Sequence, residues 1–210
     1  MDKIVDGVLK FKHEVFPERK ALFEDLASGQ SPEVLMITCA DSRIDPGMIT
    51  QAEPGDLFIC RNAGNIVPPH STHTGGNTAS IEFAVAVLGV TDIVVCGHTD
   101  CGAMKGAINP EALTELPHVS NWLAHSRAAV AVARRKYPDL EGKDFLKAVT
   151  EENVLLQLQH LRTHPVVAAG LAEGKISLHG WVYDIGHGEV HAYDAATGSF
   201  NALAHKKAVA

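Results

Sequence analysis

Asp92-Ile93-Val94-Val95-Cys96-Gly97-His98-Thr99-Asp100-Cys101-Gly102 opens as a β-branched run and ends in an imidazole and a thiol. An apolar run this short, closed by glycine, predicts a strand buried on both faces, as in parallel sheets. Val34-Leu35-Met36-Ile37-Thr38 and Leu57-Phe58-Ile59-Cys60 have the same character, and a further strand is predicted over residues 176–185. Residues 186–189 then turn into an edge strand, Val190-His191-Ala192-Tyr193. Between strands, residues 78–88 are Ala-rich and place Ile81, Val85 and Leu88 at helical spacing, and longer helices are predicted at about 119–137 and 145–162. This alternation predicts an α/β fold: a mostly parallel central sheet flanked by helices on both faces, with a C-terminal edge strand. Upstream, Ile4, Val5, Val8, Leu9 and Val15 recur at helical spacing. Pro17 opens a second helix that carries Leu22, Phe23 and Leu26 and ends near Gly29. Residues 1–30 are thus expected to form an N-terminal helical arm of a single domain spanning 1–210.

The composition narrows the function classes. Of 210 residues, 46% are hydrophobic and 20% charged, which suits a packed core and excludes a disordered or coiled-coil chain. Eighteen Lys and Arg against 25 Asp and Glu give a formal charge of −7, the wrong balance for neutralising phosphates, so no nucleic-acid partner is expected. No apolar run approaches the ~20 residues that span a bilayer, and Met1-Asp2-Lys3-Ile4-Val5-Asp6-Gly7 lacks the apolar core of a secretory signal. The expectation is a cytoplasmic protein with no membrane partner. In that reducing compartment Cys39, Cys60, Cys96 and Cys101 read as thiols or metal ligands, not disulfides.

Chemistry concentrates after two of the strands. Cys39-Ala40-Asp41-Ser42-Arg43 follows the first and Gly97-His98-Thr99-Asp100-Cys101-Gly102 the third. Both sit at strand carboxyl ends, where parallel sheets collect ligands. Together they offer two thiolates and an imidazole, a donor set that suits Zn²⁺, and three protein ligands leave a position for water. Asp41 has two readings: a fourth ligand that closes the site, or a carboxylate held by Arg43 that accepts the water's proton in a hydrogen bond. Two thiolates donate more charge than imidazoles, so that water is expected to be less acidic than in an all-His site. Cys60 and Cys96 are expected to be inert buried thiols, although Cys96 shares strand parity with His98. His70 and His73 are read as exposed loop histidines, with proton transfer to buffer as the alternative. Gly102, Ala103 and Gly106 open either a short helix whose N–H groups favour an anion or a tight turn.

Cys39-x-Asp41-x-Arg43 followed by His98-x-x-Cys101 resembles the zinc signature of the β-class carbonic anhydrases. The resemblance extends through Glu53-Pro54-Gly55-Asp56-Leu57-Phe58, Arg61-Asn62-Ala63-Gly64-Asn65 and Gly180-Trp181-Val182-Tyr183. Asp6-Gly7-x-Leu9-x-Phe11 and Ser31-Pro32 are similar to the bacterial branch that includes the cyanate-operon enzyme. The resemblance implies reversible hydration of CO₂ to bicarbonate and a proton by zinc-bound hydroxide, with one Zn²⁺ per chain. It implies Cys39, His98 and Cys101 as metal ligands, Asp41 and Arg43 as catalytic dyad, and Gln30, Phe58, Ala63, Phe83 and Gly102 around the substrate. It further implies a homodimer or dimer-based oligomer, with active sites at the interface and the N-terminal helices reaching across the partner. The plant-like group of the family keeps an accessible zinc, and Gln30 matches its pattern. Phe83 stands where that pattern has tyrosine. A regulated group has a second bicarbonate pocket built on a tryptophan at the position of Met36; Arg61 and Tyr183 match its other parts, but without the indole no such inhibition is expected. Arg61 is expected to pair a carboxylate or cap its loop. Two rival readings are hydrolysis of carbon disulfide or carbonyl sulfide, and a non-catalytic zinc protein whose metal is closed by Asp41 or Cys96.

Overall fold

The structure, a computed structural model, describes residues 1–72 and 75–204, so His73 lies outside the described residues. It divides into two compact units, Met1–Ser31 and the chain from Pro32 onward.

In the first unit a helix at Asp2–Lys10 widens into a π-helical turn at Phe11–Val15, and a second helix follows at Lys20–Leu26. Pro17 occupies the first turn of the short Phe16–Glu18 segment, where its missing N–H costs nothing, and Arg19 at φ −112°, ψ 19° breaks the helical path. The rings of Phe11, Phe16 and Phe23 pack at 5.4 to 6.2 Å. Ile4, Val5, Val8 and Leu9 are left exposed.

The second unit is built on a six-stranded sheet: β1 Val34–Cys39, β2 Leu57–Asn62, β3 Asp92–His98, β4 Ser177–Asp184, β5 Glu189–Asp194 and β6 Ser199–Ala202. Their order is β2-β1-β3-β4-β5-β6. The first four are parallel, and β5 and β6 add antiparallel hairpins at one edge. β1 and β3, predicted from continuous apolar runs, are buried almost throughout because each has a strand on both sides. Leu35 and Ile37 of β1, Ile93 and Val95 of β3 and Val182 of β4 face the helices, meeting Ile81 and Ala84 of Gly76–Ala86, Val154, Leu158 and Leu161 of Gly142–Leu161, and Val167 of Pro165–Ala172. The opposite face carries a smaller cluster, Met36, Val94 and Cys96, with Trp181 and Tyr183 against it. Within this unit the helical cover is therefore concentrated on one face.

Three features differ from the sequence expectation. The helix expected at 119–137 is divided into Pro117–Leu123, a 3₁₀ turn at Ala124–Ser126 and Arg127–Lys136. The break falls at Ser126, whose buried hydroxyl donates to Asn153 Oδ1 at 2.8 Å instead of continuing an amphipathic pattern. Short helices at Pro46–Thr50 and Pro165–Ala172, each opened by proline, were not anticipated. Nor was β6, whose Ser199-Phe200-Asn201-Ala202 has a single large apolar side chain to signal it.

The Gly142–Leu161 helix crosses β3 and β4 over Gly97 and Gly180. A β-carbon at Gly180 would lie 2.9 Å from Val154 Cγ1 and 3.1 Å from Leu158 Cδ1. Gly180→Ala is therefore expected to destabilise the protein by about 1–3 kcal/mol. The check is a lower urea midpoint at unchanged slope; an unchanged midpoint would show that the helix moves aside without cost.

Candidate metal centre

β1 is the point where the strand order reverses, with β2 on one side and β3 on the other. A crevice opens at the carboxyl ends beside such a switch point. The β1–β3 register pairs Thr38 with Cys96, and Thr38 Oγ1 donates to the Cys96 carbonyl at 2.9 Å. The next residue on β1 is Cys39, and β3 ends in His98. Cys101 follows one tight turn later, at the start of the Gly102–Ile108 helix. The ligand atoms of Cys39, His98 and Cys101 all lie within 4.8 Å of one another, and all three residues are buried. Among the described residues they are the one group with this arrangement.

Their surroundings suit a cation. His98 Nδ1–H donates to the Thr99 carbonyl at 2.9 Å, which leaves the Nε2 lone pair free. Nε2 is buried and has no hydrogen-bond partner in the protein, a state that is costly unless a ligand completes it. Cys101 donates to Cys39, which lowers the Cys39 thiol to about 4 despite its burial and pushes Cys101 well above the usual thiol range. A divalent cation would displace the remaining thiol proton. The Gly64 N–H also points at Cys39 Sγ, at 3.4 Å. Gly64 is at φ +84°, and a β-carbon there would meet Ala103 and Met104 at 3.0 Å, so this approach requires glycine. A buried thiol pair and an orphaned imidazole nitrogen form a donor set that fits Zn²⁺.

Asp41 lies at the edge of this cluster, its Oδ2 3.8 Å from His98 Nε2. Arg43 holds it from both sides: Nε donates to Oδ1 at 2.9 Å, Nη2 to Oδ2 at 2.8 Å, and the main-chain N–H to Oδ1 at 3.0 Å. These bonds hold the Asp41 carboxyl well below the usual carboxylate range. Its contribution to stability is present above about pH 3.9 and is lost as pH falls through the lowered folded value.

Arg61 donates to the main-chain carbonyls of Cys39, at 3.0 Å, and Asp41, at 2.8 Å, and so caps the metal loop. Met36 is buried on the opposite face of the sheet. Ala63 begins the loop after β2, and its carbonyl accepts from Trp122 Nε1 at 2.8 Å. Gly102 opens the helix after Cys101. Phe58 and Phe83 pack together with ring centroids 6.0 Å apart, on β2 and the Gly76–Ala86 helix. Phe58 is four residues before Asn62, the residue paired with Cys39. Gln30 belongs to the Met1–Ser31 unit, where it is exposed. His70 is exposed, with its ring 5.8 Å from that of His164. Cys96 lies outside the cluster, and burial pushes its thiol up to about 12, which keeps it protonated; burial also pushes Cys60 up. Sequence reasoning passed over Asp100, which accepts from Arg43 and pairs with Lys105. An aspartate between two ligand residues read there only as a spacer.

Residues 34–190 match the family model described as Carbonic anhydrase. A carbonic anhydrase of Pseudomonas aeruginosa is 49% identical over 97% of this chain and 92% of its own length. The structure of the β-carbonic anhydrase CcaA superposes with a TM-score of 0.94 at 45% identity, covering 97% of this chain and 99% of that one. A chain from the crystal structures of two tetrameric β-carbonic anhydrases of the ascomycete Sordaria macrospora superposes with a TM-score of 0.82 at 30% identity, covering 91% of this chain and 95% of that one. The chain belongs to the carbonic anhydrase family, and its fold is that of the β class. Its cofactor is zinc, its reaction is the hydration of CO₂, and the Cys39–His98–Cys101 cluster is a group that could hold a metal ion.

Metal analysis is expected to find one zinc per chain in the native protein and at least a tenfold loss in Cys101→Ala. With free zinc at a hundred times its Kd, binding adds about 2.7 kcal/mol, so chelation should lower Tm by roughly 5–10 °C. An unchanged Tm after complete zinc removal would show that the ion binds the folded chain no more tightly than the unfolded one.

Proposed function

We propose that Cys39, His98 and Cys101 ligate the zinc and that Asp41 and Arg43 are the catalytic dyad of reversible CO₂ hydration. The observation that carries this reading is an ionised, Arg43-held carboxylate 3.8 Å from the free nitrogen of a buried Cys-His-Cys cluster. Zn²⁺, when bound, supplies Lewis acidity that lowers the pKa of water from 15.7 to about 7 in favourable sites. The protein's residues do the rest. Asp41 accepts a hydrogen bond from the nucleophile through the oxygen nearest His98 and so directs its lone pair toward the substrate carbon. Arg43 keeps Asp41 ionised and turned to that task. The Gln30 amide donates to the oxygen on which charge develops, and the N–H groups after Gly102 favour the anionic product. Phe58, Ala63 and Phe83 supply an apolar wall that admits CO₂ and excludes water.

Within one chain the Phe58–Phe83 pair stands about 13 Å along β2 from Asn62, at 3.3 Å per residue. That spacing favours a wall built for the active site of a neighbouring subunit, in a homodimer or an assembly of dimers. The exposed Ile4, Val5, Val8 and Leu9 support the same assembly, with residues 1–30 as an arm of a single domain laid across the partner. Among the described residues no helix is long and apolar enough to cross a membrane. Four free thiols, all buried, support a cytoplasmic setting.

Stopped-flow CO₂ hydration tests the chemistry. Asp41→Asn, with its zinc retained, is expected to lower kcat/KM by about 10²–10⁴-fold. Full activity in that variant would remove Asp41 from the mechanism. Native protein that holds zinc, is inert toward CO₂ and turns over carbon disulfide or carbonyl sulfide would move the chain to the rival chemistry. For the assembly, sedimentation of Ile4→Glu/Val8→Glu should show a smaller species than the native protein; an unchanged species would show that this face is not an interface.

A further inference from the structure

Asp100 lies between two members of the metal cluster, at φ +59°, a left-handed conformation that aspartate tolerates better than most residues. The turn aims two acceptors at one guanidinium. Asp100 Oδ2 accepts from Arg43 Nη1 at 3.1 Å, and its main-chain carbonyl accepts from Arg43 Nη2 at 3.2 Å. The other carboxylate oxygen, Oδ1, pairs with Lys105 on the Gly102–Ile108 helix. On its opposite edge Arg43 gives Nε and Nη2 to the two oxygens of Asp41. Two carboxylate-bearing residues thereby engage four of the five N–H groups of one planar fork. Because the guanidinium is rigid, fixing the edge that faces Asp100 fixes the direction in which the other edge holds Asp41.

The direction matters because Asp41 Oδ2 is already 3.8 Å from His98 Nε2. A carboxylate released from Arg43 is within reach of a metal held by His98, Cys39 and Cys101. We propose that Asp100 is a positioning residue: anchored by Lys105, it locks Arg43 so that Asp41 stays off the metal and the fourth coordination position remains open to an incoming ligand. The inference rests on the assignment of Cys39, His98 and Cys101 as ligands. It adds a role for Asp100 and Lys105, neither of which touches the substrate.

The test uses cobalt(II)-substituted holoprotein titrated with thiocyanate at neutral pH and followed by visible absorption, so that an open coordination position is read as anion affinity, independently of turnover. Asp100→Gly keeps the backbone conformation and removes the carboxylate. It is expected to retain one cobalt per chain and to bind thiocyanate at least tenfold more weakly, as Asp41 takes the open position. In an Asp41→Ala background, where no carboxylate can swing, the same substitution should change the affinity by less than about twofold. Lys105→Met leaves the metal loop intact and is expected to weaken binding by about two- to fivefold in the native background only. Unchanged affinity in Asp100→Gly and Lys105→Met, or an equal fall with and without Asp41, would overturn the proposal. Native protein that binds no cobalt would overturn it together with the ligand assignment. Native protein that binds cobalt and thiocyanate and hydrates CO₂ keeps that assignment standing whichever way the variants behave.

Discussion

The parallel pairing of β1 with β3 is the constraint on which the rest of the structure depends. It places Thr38 opposite Cys96 and so brings Cys39 and His98 to the same end of adjacent strands. A slip of one residue would turn Cys39 to the other face of the sheet and bury Met36 or Thr38 among the helices. Two interactions hold the register: alternate residues of both strands enter one buried apolar cluster with the covering helices, and Thr38 Oγ1 bonds the Cys96 carbonyl across the pair. The close approach of that helix over Gly97 and Gly180 belongs to the same device, since it presses the sheet at the rungs just before the site. The metal cluster inherits its geometry from the core instead of from a flexible loop.

Electrostatics then explains why these three residues are poorly served without an ion. A buried imidazole nitrogen lacks a partner, and two buried thiols press on one another, the Cys39 thiol lowered and the Cys101 thiol raised. Leaving such groups unpaired costs free energy in a low-dielectric interior, and a divalent cation removes both deficits at once. The bonds around these residues are made within the protein. Thr99 fixes the His98 tautomer, Gly64 donates to Cys39, and Arg61 ties the carbonyls of Cys39 and Asp41. The chain thus keeps a local polar deficit at this cluster, as expected of a functional site; among the described residues Asn65 Nδ2, next to Gly64, is the other buried side-chain atom without a partner.

How much of this was legible in the sequence follows from the range of the interactions. β1 and β3 were readable because a strand with neighbours on both sides needs an unbroken apolar run, and the Cys-His-Cys cluster was readable because Cys39 and His98 end those runs and Cys101 follows one turn later. The division of the 119–137 segment was not, because it follows from the long-range bond between Ser126 and Asn153. β6 was missed because an edge strand with one large apolar side chain carries little periodicity. The Asp41–Arg43 pair could be read from a spacing of two residues. The grip of Asp100 on Arg43 could not, since the pair is 57 residues apart and depends on a backbone angle that spacing does not encode. Gln30 and the phenylalanines entered only through family likeness; nothing in their local pattern separates them from ordinary surface or core residues.

The burial gradient across the site gives the proposed chemistry a direction. Cys39, His98 and Cys101 are at most 4% exposed, the Asp41 side chain is 17% exposed, and that of Arg43 is 43% exposed. Carbon dioxide is apolar and favours the dry side of such a boundary, whereas the proton released on hydration must reach solvent. Asp41 is the group that touches both. A carboxylate buried as deeply as His98 would have its pKa raised by desolvation and would tend to be neutral, unable to accept a hydrogen bond with both oxygens. One fully exposed would be free to rotate away from the nucleophile. Pairing with a half-exposed arginine resolves the conflict, since the guanidinium compensates the charge from the wet side and fixes the carboxylate on the dry side. On this argument the arginine must be held in turn by something other than Asp41, because a single carboxylate cannot both be oriented by the fork and orient it.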